Sequence, residues 1–75
     1  MLDRDEVKSF FTFLDTASDR ELSERQKALQ DMEGVLQQGS DARKDVQFLI
    51  RKLREEQAAR INVIWARHHR NERQA

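Results

Sequence analysis

The sequence predicts an all-α protein: an antiparallel helical hairpin of two long, coiled-coil-like helices, preceded by a short N-terminal helix. Three observations carry this expectation. Charged residues make up 37% of the chain, with no Pro and only two Gly, a composition that favours long helices over sheets. Apolar residues recur at spacings of three and four, as one face of a helix requires. Two short segments, "ASDRE" and "QQGSD", carry the signals that stop one helix and start the next.

The first helix is expected over residues 3–16. Asp3 is its N-cap, and Asp5 and Glu6 occupy the first turn, where the helix dipole favours negative charge. Val7, Phe10, Phe11 and Leu14 are spaced i, i+3, i+4, i+7 and form one apolar stripe. Phe13 lies off that stripe and is expected to need either a second neighbour or a partner.

Ser18 to Glu21 reads as a capping box, in which each side chain accepts from the other residue's backbone N–H, with Ala17 and Leu22 at the staple positions. It opens a second helix over residues 19–38. The apolar face there is Leu22, Ala28, Leu29, Met32, Val35 and Leu36, interrupted by Arg25. Gly39 suits the left-handed position after a helix end, and Ser40 caps the third helix, expected over residues 41–71 with a frayed tail at 72–75. So short a connection forces an antiparallel turn. Laying the two helices side by side places Leu36 near Val46, Leu29 near Leu53, and Arg25 near Glu56, which are expected to form a structural ion pair. A Lys52–Glu56 pair is expected on the solvent face.

The third helix must overhang the second. At 1.5 Å per residue its length is about 45 Å against about 30 Å. Ile61, Ile64 and Trp65 lie in the overhang, and the first helix, with Phe10, Phe11 and Leu14, is the expected cover.

The net charge of zero hides an asymmetry. Residues 1–38 carry a net −4 and residues 39–75 a net +4. The halves attract, which favours a folded-back hairpin within one chain or antiparallel association between two.

The chemistry-bearing residues are few. There is no Cys, so no disulfide is expected, and cytoplasmic localisation is the default. The opening "MLDRDEVKSFF" has no basic region followed by an apolar run, so neither a secretory signal nor a membrane span is expected. His68, His69 and Glu72 offer too few ligands for zinc, and adjacent His side chains point about 100° apart on a helix. No phosphate-binding glycine loop or nucleophile elbow occurs. The expectation is therefore a protein that is not an enzyme, with no metal, cofactor or small-molecule substrate.

Two binding readings follow. The first is a small protein–protein interaction module, a homodimeric accessory or regulatory protein that modulates or masks a larger protein. Its candidate interface is Phe10, Phe13, Ile61, Ile64 and Trp65, because interface cores are rich in aromatic residues. In economy the chain is similar to short bacterial or phage accessory proteins of that style. The alternative is a nucleic-acid-binding regulator, since residues 57–71 contain three Arg, two His and no acid. There Arg60, Arg67 and Arg70 are the candidate phosphate contacts.

Overall fold

The protein is described by a computed structural model covering the backbone of residues 2–74 and the side chains of residues 2–68. It is an all-α hairpin with a short first helix, α1 Arg4–Thr16, α2 Asp19–Val35 and α3 Asp41–Gln74. The molecule measures 53 × 24 × 19 Å. Its long dimension is that of α3, whose 34 residues span about 51 Å.

The helix starts follow from capping. The Asp3 carboxylate accepts the Glu6 N–H at 2.7 Å. The Ser18 hydroxyl accepts the Glu21 N–H at 3.1 Å while the Glu21 carboxylate accepts the Ser18 N–H at 3.2 Å, so both arms of the capping box form. These bonds hold the Glu21 carboxyl below its ordinary range, the Ser18 backbone N–H contributing most and its hydroxyl next. At α3 the Ser40 hydroxyl accepts the Arg43 N–H at 3.1 Å and donates to the Gln37 carbonyl at 2.7 Å.

The turn between α2 and α3 is longer than expected. The second helix stops at Val35, with Leu36 extended as its C-cap, so residues 36–40 make the connection. Gly39 has φ of +77°, where a side chain would be strained, but it lies within the turn. The carbonyl that Leu36 leaves free is taken by Arg43, whose Nη1 donates to it at 2.9 Å.

The core comprises Phe10, Leu14 and Ala17 around α1, Leu22 and Leu29 of α2, and Val46, Ile50 and Leu53 of α3. Leu22 and Leu53 are fully buried. Leu22, Leu29 and Leu36 repeat every seven residues, which keeps one narrow seam of α2 against its antiparallel neighbour. The half-buried positions beside that seam are Gln26 and Glu33. Met32, Val35 and Ala28 therefore face solvent, contrary to the broader apolar face expected. Leaving the helix turns Leu36 inward and leaves Val35 84% exposed.

The first helix lies back along the hairpin. Its end sits at Arg60, whose Nη2 donates to the Leu14 carbonyl at 2.9 Å. Its beginning lies near Leu49, which shares a surface hollow with Leu2, Phe10, Phe13 and Arg25. It thus points the same way as α3 and covers one flank of the α2–α3 pair. Its buried stripe is Phe10, Phe13, Leu14 and Ala17, which has the same i, i+3, i+4, i+7 spacing as the expected stripe, three residues later. Phe11 is left 39% exposed.

Candidate interaction surface

The surface is set up by where α2 ends. Asp19 opens α2 and meets Arg60 of α3 at 2.8 Å. Beyond that point α3 continues over residues 61–74, about 21 Å of helix. Ile61, Val63, Ile64 and Trp65 are 63%, 50%, 65% and 62% exposed. The first helix was expected to cover them. It does not, because Phe10, Leu14 and Ala17 are already spent in the hairpin core.

The overhang is the continuation of the inward face of α3. Val46, Ile50, Leu53, Gln57 and Ile64 fall at intervals of four, three, four and seven residues, one line along the helix. The same line is buried as far as Leu53 and exposed at Ile64. At the foot of α2, Ile61 and Ile64 share a shallow hollow with Asp19, Ser23, Gln57 and Arg60. A second hollow on the adjoining side adds Glu56, Ala59 and Val63.

Arg60 closes the base of this surface. Its guanidinium donates to Asp19 at 2.8 Å, to Glu56 at 2.9 Å and to the Leu14 carbonyl at 2.9 Å, joining all three helices. The bonds to Asp19 and then Glu56 raise its pKa above the ordinary arginine value. The Arg25–Glu56 pair expected from the sequence is replaced: Glu56 serves Arg60, and the Arg25 guanidinium lies 4.3 Å from the centre of the Phe13 ring. A cation over an aromatic face is an attractive contact, and it shields the ring expected to need a neighbour or a partner. Lys52 likewise pairs with Glu55 at 3.3 Å, not with Glu56.

The five candidate interface residues thus divide. Phe10 is buried, and Phe13 is half-buried, packed on the core and stacked on Phe10 with ring centres 6.2 Å apart. Both belong to the fold. Ile61, Ile64 and Trp65 are exposed, as is Val63. Of the candidate phosphate contacts, Arg60 is committed inside the protein, Arg67 is exposed, and the side chain of Arg70 lies outside those described, as do those of His69 and Glu72. The expected frayed tail at 72–75 falls mostly within α3, which continues to Gln74; Ala75 lies outside the described residues. Among the described residues no group of three or more His, Asp or Glu is placed to hold a metal ion. No described helix is long and apolar enough to cross a membrane.

Comparison of the chain with protein-family models, curated proteins and solved structures gave no match.

Proposed function

We propose that this chain is a small protein-binding module without catalytic activity of its own, an accessory or regulatory protein that modulates or masks another protein through the overhang of α3. One observation supports this reading above the others. Ile61 and Ile64 stand more than half exposed where they continue the helix face that is buried at Val46, Ile50 and Leu53, and Val63 and Trp65, also half-exposed or more, flank them on opposite sides. Clustered exposed apolar residues of this kind mark interaction sites more often than scattered ones do. The homodimer anticipated from the sequence drew on Phe10 and Phe13 as well as Ile61, Ile64 and Trp65; with Phe10 and Phe13 packed internally, it depends on the overhang alone. The nucleic-acid alternative loses support, since Arg60 spends its guanidinium on Asp19, Glu56 and Leu14.

The test compares the wild-type chain with a variant carrying Ile61→Glu and Ile64→Glu, both verified as helical by circular dichroism. Affinity capture from cells that express the protein should retain partner proteins on the wild type and not on the variant. Light scattering after size exclusion reports self-association through the same face. Identical retention by both chains, with no change of mass between them, would contradict the reading.

A further inference from the structure

We infer that the overhang is a seat for an acidic amphipathic helix of a partner protein, laid end-on to α2 and antiparallel to α3. The inference rests on the reading of the overhang as a binding surface and adds the chemistry of what binds there. Two observations carry it.

The first is continuity. The α2 seam covers the inward line of α3 through Leu53, and Asp19 closes it at Arg60. Ile64 lies on the same line beyond that point, with Ile61 beside it in the hollow at the foot of α2. A helix that prolonged α2 would meet Ile61 and Ile64 as Leu22 and Leu29 meet the buried part of α3. Helix-in-groove recognition uses anchors at this spacing.

The second is charge. From residue 57 to residue 71 the chain has three Arg, two His and no acid, and the one acid-paired Arg among those described is Arg60, at the base. Apolar residues occupy the near part, 61–65, and the exposed Arg67 the part beyond. A second copy of this chain fits that pattern poorly. Antiparallel in the same seat, its own segment from Arg67 onward would lie against Ile61 and Ile64, so that basic residues would meet apolar ones and the apolar residues of both copies would stay uncovered. An occupant antiparallel to α3 instead needs apolar residues in its C-terminal half and carboxylates in its N-terminal half, beside Arg67. Acids in the first turns of a helix are also what its dipole favours.

Trp65 is the only Trp in the chain and stands 62% exposed one helical turn beyond Ile61, so its emission reports occupancy of the overhang. The experiment titrates the full chain with synthetic peptides of about 18 residues, or five turns. One has Glu in its N-terminal half and Leu at helical spacing in its C-terminal half; one replaces each Glu by Lys; one is a scramble of the acidic sequence. Mixed-sequence duplex DNA and dilution of the protein alone complete the set. The acidic amphipathic peptide should shift Trp65 emission to the blue and saturate, and the other arms should not. Ile64→Glu should abolish the shift. Arg67→Glu should weaken it by about tenfold or more and transfer binding to the Lys peptide. Equal binding of the Lys or scrambled peptide, no effect of Arg67→Glu, or a shift produced by self-association would overturn the acidic-helix assignment while leaving a binding surface. A shift with DNA alone, or silence in every arm, would overturn both.

Discussion

The two halves of α3 carry the same apolar periodicity in opposite surroundings. Residues 41–60 present Val46, Ile50 and Leu53 to α1 and α2, and these side chains are 7% exposed or less. Residues 61–74 continue the helix with Ile61, Val63, Ile64 and Trp65, each at least 50% exposed. What leaves the second half open is the length of α2, which begins at Asp19. Apolar periodicity in a helix therefore states that a face wants cover, and the neighbouring element decides whether the chain supplies it.

The contrast is broken most severely by truncating the closed half. Leu53→Ala removes a fully buried side chain and should cost about 2–5 kcal/mol of folding stability, while Ile64→Ala should stay within about 0.5 kcal/mol. Urea unfolding followed by circular dichroism measures both, and comparable losses would mean that the overhang is core.

Arg60→Ala acts at the boundary. It removes three hydrogen bonds and leaves the Leu14 carbonyl and Glu56, both part-buried, without that donor. Its destabilisation should fall between those of Leu53→Ala and Ile64→Ala, and α1 should detach first, seen as new solvent exposure of the Phe10 and Phe13 region by hydrogen exchange. Lys in its place should recover little, because one ammonium cannot reach three acceptors in fixed directions as the guanidinium fork does.

The smallest effect is at the start of α2. Ser18→Ala should cost about 1 kcal/mol by removing the cap. Glu21 adds a pH dependence. Its carboxyl titrates below the ordinary carboxylate range because Ser18 donates to it, so the stabilisation is fully present above that range and is lost as pH falls through the lowered value. An acid titration should therefore show the wild type losing more stability than Glu21→Gln over that interval.

Much of this was legible in the residues. The caps at Asp3, Ser18 and Ser40 depend on contacts three residues apart, and the overhang follows from comparing helix lengths across Gly39. The register of α1 was not. Val7, Phe10, Phe11 and Leu14 satisfy the helical spacing as well as Phe10, Phe13, Leu14 and Ala17 do, and only the packing against α2 and α3 selects the second. The partners of Arg60 were equally hidden, since two of its three bonds cross 41 and 46 residues of sequence. The width of the α2 seam was overestimated for the same reason: Met32 and Gln26 compete for the flank of one seam, and the approach of α3 chooses Gln26.

The division of α3 at Arg60 is tested most directly by hydrogen–deuterium exchange of the isolated chain. A helical segment as short as the overhang is marginal in water without packing, whereas amides in a core element open only with the fold. The amides of residues 46–58 should exchange at the rate of global unfolding, and those of residues 61–68 at least about a hundredfold faster. Uniform protection along the whole of α3 would contradict the account, because it would mean that Ile61, Ile64 and Trp65 are already covered.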